Sequence, residues 1–291
     1  MIVPGAPGGS ADILARLIGG KLQERFGQPV VTDNRPGAGQ MIGGELAAKA
    51  PPDGHTLVLF TVTYTTVAAV RSKLPFDAVN DLTGVAMVGR GPLMLTVHPS
   101  LPARNARELI AIAKARPGQL NYGSSGAGSI IHFATEVFAA SAGINIVHVP
   151  YKSITPAVTD TVGGHIPVLI VSLPSGGPQV KAGRLRALAV TTAQRSAFVP
   201  ELPTLADSGV PGYDVSTWWA IYTRAKAPAE TINRLNREIQ QILATEDVKT
   251  RLAAEGAEPE LTMTADALSA MTKAEIEKWA KVAKARNIKI D

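Results

Sequence analysis

The run Met1-Ile2-Val3-Pro4-Gly5-Ala6-Pro7-Gly8-Gly9-Ser10-Ala11-Asp12 decides the fold. An apolar stub enters a glycine-rich loop, after which Leu14, Leu17, Ile18, Leu22 and Phe26 recur at helical spacing. That order reads as strand, glycine loop, helix. Ser10 is placed to cap the helix, and Asp12 falls in its first turn, where a carboxylate suits the positive end of the macrodipole. The same architecture returns at Leu120-Asn121-Tyr122, followed by Gly123-Ser124-Ser125-Gly126-Ala127-Gly128-Ser129 and a helical stretch from Ile130 to Ala142.

Strand and helix patterns alternate between and beyond these two stretches, which predicts an α/β architecture. Pro29-Val30-Val31 is expected to begin a second strand, Met41 to Ala50 a helix, and His55 to Phe60 a buried strand. Val85 to Val88 and Leu93 to Val97 read as two adjoining strands. Asn105-Ala106-Arg107-Glu108 is a capping box that opens a helix stopping at Pro117-Gly118. Ile144 to Val149, Ile166 to Val171 and Leu185 to Val190 are rich in Val, Ile and Leu, as strands of a mostly parallel sheet are. Asp214 to Arg224 is a strand carrying Trp218 and Trp219, and Pro228 opens an amphipathic helix. The chain is expected to cross between lobes near Pro99–Pro102 and again near Pro228.

With 291 residues, 45% of them hydrophobic, the chain can bury the core of one large domain or two ordinary ones. Its 29 Lys and Arg against 24 Asp and Glu are scattered, except for Lys278, Lys281, Lys284, Arg286 and Lys289. Those five share a helix with Glu275 and Glu277, which suits a solvated face better than a nucleic-acid surface. No apolar run approaches the ~20 residues that cross a bilayer. Cysteine is absent, which excludes disulfides, thiol nucleophiles and zinc–thiolate sites. The chain enters its first loop so early that a preceding segment, such as a secretory signal, is expected.

Backbone N–H groups at a helix start have no intrahelical partner, and glycine lets an anion approach them. Here that arrangement is predicted twice, with Ser10, Ser124, Ser125 and Ser129 adding hydroxyls. Neither loop holds Lys or Arg, so a carboxylate is favoured over a phosphate. Either loop taken alone would equally suit a plain turn from strand to helix. Three or four charge-assisted bonds of about 1.5–3 kcal/mol each suffice for a micromolar complex near −8 kcal/mol, after substantial ordering costs.

Enzyme motifs fail at specific positions. A nucleophile elbow centred on Ser125 has Ala127 where the final glycine belongs. A P-loop would need lysine between Gly128 and Ser129. Gly37 to Gly43 is one residue too long for the dinucleotide fingerprint. The five histidines, His55, His98, His132, His148 and His165, lack paired metal-ligand spacing. His132 stands one turn into the second helix, where it could face a ligand or support the loop from behind. No catalytic residue, metal or cofactor is expected.

Pro7-Gly8-Gly9-Ser10-Ala11-Asp12, Asn34-Arg35-Pro36-Gly37-Ala38-Gly39, Pro52-Asp53-Gly54, Tyr122 to Ser129 with His132, Val149-Pro150-Tyr151-Lys152 and Val180 to Val190 together resemble the Bug (Bordetella uptake gene) family. These are the extracytoplasmic solute receptors of tripartite tricarboxylate transporters, and the resemblance spans nearly the whole chain. It implies an α/β type II periplasmic binding protein fold, with two lobes of mostly parallel sheets around a central cleft. Lobe 1 would be discontinuous, 1–100 plus 226–291, and lobe 2 would span 101–225. It further implies a periplasmic location and delivery of a small organic carboxylate to integral membrane transporter subunits. The receptor itself is expected to be a monomer that binds no nucleic acid.

In the resemblance, the carboxylate grip maps onto Pro7, Gly8, Gly9, Ser10 and Asp12, and onto Ser124, Ser125, Gly126, Ala127, Gly128 and Ser129. Thr63 and Tyr64 are a further expected cleft edge, and Tyr151 is equally a packing residue and a ligand contact. Trp218 is read as structural. Where relatives often have Tyr-Lys-Gly, this chain has Tyr151-Lys152-Ser153. Where amino-acid-binding members place an aspartate, it has Val171-Ser172. An α-ammonium would lack its countercharge there, so a dicarboxylate or aromatic carboxylate is expected rather than an amino acid. A ligand-sensing protein of the same fold is the alternative. A regulator's effector domain would need a helix-turn-helix segment, and hydroxymethylbilane synthase its cofactor cysteine; neither is present.

Overall fold

The computed structural model describes residues 1–288 and divides into two compact units. Unit 1 takes Met1–Arg90 with Trp218–Lys281; unit 2 takes Gly91–Thr217 and the segment starting at Val282. Lys289 of the basic cluster lies outside the described residues.

Unit 1 begins with β1 (Ile2–Val3), α1 (Ser10–Phe26), β2 (Asp33–Asn34), α2 (Met41–Ala48), β3 (Leu57–Thr61), α3 (Thr63–Val70) and β4 (Leu82–Val97), which leaves the unit after Arg90. β1 pairs in parallel with β2 and β3. Helix α1 ends at Gly27, whose left-handed φ of 65° lets its N–H return to the Gln23 carbonyl. The helix turns Leu14, Ala15, Ile18 and Leu22 inward against Val3, Leu57 and Leu59. Leu14, Ile18 and Leu22 each contribute about 1.5–3 kcal/mol through burial.

Unit 2 contains α4 (Ala106–Ala115), β5 (Asn121–Ser124), α5 (Ile130–Ala142), β6 (Val147–Pro150), α6 (Ile154–Val162), β7 (Val168–Ser172), α7 (Leu173–Lys181) and β8 (Arg186–Val190). β5 pairs in parallel with β6 and β7, while β7 and β8 run antiparallel to the second half of β4. The Asn105 half of the capping box forms, the Glu108 N–H donating to Asn105 Oδ1 at 2.9 Å, while the Glu108 carboxylate takes the N–H of Arg104, one residue before the N-cap, at 2.6 Å. Phe133, Phe138 and Val168 to Val171 are fully or almost fully buried.

The chain re-enters unit 1 through β9 (Ser216–Arg224), then forms α8 (Ala229–Leu243), α9 (Glu246–Ala254), β10 (Glu258–Pro259) and α10 (Ala265–Arg286). β9 runs antiparallel to β3, and Pro228 stands at the N-cap of α8. No helix among the described residues is long and apolar enough to cross a membrane. The α/β class is as the sequence predicts, with parallel pairing among β1, β2 and β3 and among β5, β6 and β7.

Three local expectations are corrected. The two strands expected at 85–88 and 93–97 are the single strand β4. Gly89 and Gly91 lie within it, and neither adopts positive φ. A Cβ on Gly89 would stand 2.6 Å from the Glu258 carbonyl oxygen, so this glycine serves the close approach of β10. The strand expected from Pro29 is only Asp33–Asn34, because Val31 stays exposed and backbone pairing with β1 starts at Asp33. Finally, Gly9 holds the N-cap position of α1, and Ser10 is its first residue with no capping bond.

Candidate functional site

In unit 1 the loop after β1 is organised from behind by its own helix. Asp12 Oδ2 accepts the Gly8 N–H at 3.0 Å, and Gly8 adopts the left-handed φ of 77° that this closure needs. Arg16, one turn further on, donates from Nε to Asp12 Oδ2 at 3.1 Å and from Nη2 to Asn34 Oδ1 at 3.1 Å. Asn34 Nδ2 in turn donates to the Gly5 carbonyl. Burial pushes the Asp12 carboxyl up, but bonds from Arg16, Gly8 and Asn34 outweigh it and hold it below the usual value.

Ala6, Pro7, Gly8 and Gly9 are thereby left exposed at the start of α1, while Asp12 is buried beneath them. Ser10 is half-buried, and its Oγ accepts Trp219 Nε1–H at 3.2 Å. Thr63 is partly exposed at the start of α3. Tyr64 has no exposed surface: its ring stacks on Phe60 at 4.0 Å, and its hydroxyl donates to the Ala78 carbonyl at 2.6 Å. Apolar packing on three aromatic neighbours places it in the core of unit 1, where the sequence reading expected a ligand-facing position. Trp218 is structural as expected, fully buried with Nε1–H on Glu275.

In unit 2 the loop after β5 is tied internally. Ser129 holds the N-cap of α5, its Oγ accepting the His132 N–H at 3.3 Å and donating to the Gly126 carbonyl at 2.8 Å. Ser124 is buried, accepts the Gly126 N–H at 3.1 Å, and lies 2.6 Å from His148 Nε2. Gly126 and Gly128 have φ of 114° and 79°, conformations that favour glycine. Ser125 and Gly126 are partly exposed and Ala127 is exposed.

His132 supports this loop from behind. Its Nδ1 accepts the Gly128 N–H at 3.2 Å, and its ring stacks on that of His148 with centroids 3.9 Å apart. Tyr122 lies 5.0 Å from the other ring and donates its hydroxyl to Glu136, which pairs with Arg286. Burial pushes the His132 imidazole below its ordinary value, against the pull of Glu136. Burial and then the neighbouring His132 lower His148 to about 4. Both rings are therefore neutral at pH 7.

Tyr151 combines its two readings differently from expectation. Its N–H donates to the Ser124 carbonyl, and its hydroxyl is committed to Asp160 at 2.7 Å, with burial and that carboxylate pushing it up to about 12. Val171 is fully buried within β7, so its side chain is core. Ser172 is the partly exposed N-cap of α7, with its hydroxyl on Ser175.

Each unit thus carries one glycine loop opening a helix, with Pro7, Gly8, Gly9 and Ser10 in the first and Ser125, Gly126 and Ala127 outermost in the second. Sequence reasoning missed Arg16, Asn34, Glu136, His148 and Trp219 as the supports of these loops. His148 lies opposite Tyr122 in the β5–β6 register, a pairing that no local signal in the sequence announced. Neither loop contains a positively charged side chain, and the Ser124 hydroxyl beside His148 is buried.

Two α/β units, each with parallel strands and a glycine loop opening a helix, are the arrangement expected of a solute-binding receptor. The chain belongs to the tripartite tricarboxylate transporter receptor family, whose profile matches residues 14–288. Receptors of this family are periplasmic solute-binding proteins rather than enzymes. The chain is 37% identical to Protein BugT of Bordetella pertussis over 292 residues, covering 100% of this chain and 89% of BugT. Among solved structures, R. palustris Rpa4515 with adipate aligns with TM-score 0.90 and 37% identity, over 99% of this chain and 97% of that one. MatC (Rpa3494) from Rhodopseudomonas palustris with bound malate aligns with TM-score 0.85 and 27% identity, over 97% of each chain.

Proposed function

We propose that this receptor captures a small organic carboxylate and delivers it to the integral membrane subunits of a tripartite tricarboxylate transporter. The two glycine loops are its carboxylate grip: Pro7 to Ser10 in one unit and Ser124 to Ser129 in the other. The observation that carries the reading is the design of these loops, in which exposed backbone at two helix starts is braced from behind by Asp12 and by His132. Bracing means the donors need no reorganisation when the anion arrives, which lowers the cost of binding.

A dicarboxylate or aromatic carboxylate is favoured over an amino acid. Val171 offers no countercharge to an α-ammonium, and Ser172 offers only a hydroxyl already bonded to Ser175. The adipate and malate bound by the two relatives are both dicarboxylates, in keeping with that choice.

Thermal shift across mono-, di- and tricarboxylates, with aspartate and glutamate included, tests this directly, because a ligand of the native state raises its apparent stability. Dicarboxylates or aromatic acids are expected to give the largest shifts, confirmed by calorimetry. Tighter binding of aspartate or glutamate would reject the ligand class, and silence across the whole panel would reject carboxylate capture.

A further inference from the structure

We propose that His132 and His148 are positioning residues that make the second glycine loop an acid-releasable grip, holding its backbone only while the stacked pair is neutral. The proposal rests on the carboxylate reading above for its consequence, but its mechanism is a property of the free protein.

The geometry fixes which nitrogen is bare. Gly128 N–H donates to His132 Nδ1 at 3.2 Å, so a neutral His132 carries its proton on Nε2. A proton arriving at Nδ1 would turn an acceptor into a donor, set N–H against N–H, and remove the bond that holds Gly128 in its left-handed conformation. His148 grips the other end of the same loop through Ser124 Oγ, at 2.6 Å from Nε2. With the rings 3.9 Å apart and 10° from parallel, a charge on one opposes a charge on the other. The pair therefore resists protonation until acid overcomes it, and then the loop loses its support.

The charged and titratable groups around the pair are few. Glu136, on the same helix as His132, favours the imidazolium, but Arg286 draws on its carboxylate at 3.0 Å and the Tyr122 hydroxyl donates to its other oxygen at 2.7 Å. Tyr122 itself stacks on both rings and is held neutral by burial and by Glu136. None of these groups accepts from His132 Nδ1, whose position is taken by Gly128.

Two measurements test this. In the free protein, nitrogen-15 spectra should show His132 unprotonated at Nδ1 at pH 7.5, and the Gly128 amide should titrate with the His132 ring as pH falls to 4.5. With adipate as probe, calorimetry at both pH values compares wild type, His132→Asn and His132→Ala. Asparagine can offer an acceptor near Nδ1 and does not titrate. The wild type should lose at least tenfold more affinity than His132→Asn between pH 7.5 and 4.5, and His132→Ala should bind more weakly than His132→Asn at pH 7.5.

Protonation of adipate itself affects every variant alike, and circular dichroism at pH 4.5 separates release from unfolding. If His132→Asn fails to fold, His132→Gln takes its place with the same expected loss of acid sensitivity, whereas His148→Gln, which leaves His132 titratable without an opposing charge, should move the loss of affinity to higher pH. A Gly128 amide that ignores His132, or parallel pH profiles for wild type and the non-titrating variant, would overturn the proposal. Absence of adipate binding at any pH would count against the ligand reading alone, leaving the free-protein titration to decide this one.

Discussion

Arg16 and Asp12 stand one helical turn apart in α1, and the arginine donates from Nε to Oδ2 at 3.1 Å and forms an ion-pair contact from Nη2 to Oδ1 at 3.0 Å. The two residues differ sharply in exposure, 54% for the Arg16 side chain and 6% for that of Asp12. Exposed ion pairs are worth about 0–1 kcal/mol, whereas a hydrogen bond to a charged group contributes about 1.5–3 kcal/mol. Asp12→Ala, which strips Gly8 of its acceptor, should therefore destabilise more than Arg16→Ala in urea unfolding. Equal effects would show that the carboxylate does not brace the loop.

Tyr64→Phe removes a buried hydroxyl and leaves the Ala78 carbonyl without that donor. A loss of about 1–3 kcal/mol is expected by chemical denaturation. Because the ring and its stacking survive, the affinity for any carboxylate that binds wild type should change less than twofold in calorimetry. A large loss of affinity without loss of stability would return Tyr64 to the ligand site.

Gly89→Ala would drive a methyl group against the Glu258 carbonyl, a backbone atom that cannot turn away as a side chain can. Separation of β10 from β4 should cost about 1–3 kcal/mol. Hydrogen exchange should quicken at the pairings of Glu258 with Arg90 and Pro259 with Gly89, with little change in unit 2. Unaltered exchange there would mean that β10 yields without penalty.

Stability should fall on acidification in two stages. His132 and His148 are both lowered in the folded state, so the unfolded chain takes up protons first. Their contribution is complete above the ordinary value of 6.5 and is lost as pH falls through the folded value, about 4 for His148. Asp12 is lowered too; its contribution is complete above 3.8 and is lost as pH falls further. Thermal melts from pH 7.5 to 3 should show a declining Tm whose upper stage is reduced in His132→Asn. A Tm that rises between pH 7 and 5 would contradict the neutral pair.

Sequence alone determined the α/β class and the two glycine loops, because the period of apolar residues and the placement of glycine before a helix are local signals. Asn105 capped the Glu108 N–H for the same reason, the two being three residues apart on one turn. Family membership was also legible, since its motifs are ordered along the chain. Local signals misled where a residue's reason was distant. Val85 to Val88 and Leu93 to Val97 looked like two strands, yet they are one, in which Gly89 answers to a strand starting at Glu258. Tyr64 looked like a cleft residue, yet it answers to Phe60, Phe76 and Tyr222. Only the tertiary structure decided what braces the grip: Asn34 reaches Gly5 across 29 positions, and His148 reaches Ser124 across 24. Such bonds depend on which strands lie side by side, a spatial relation that residue periodicity does not encode.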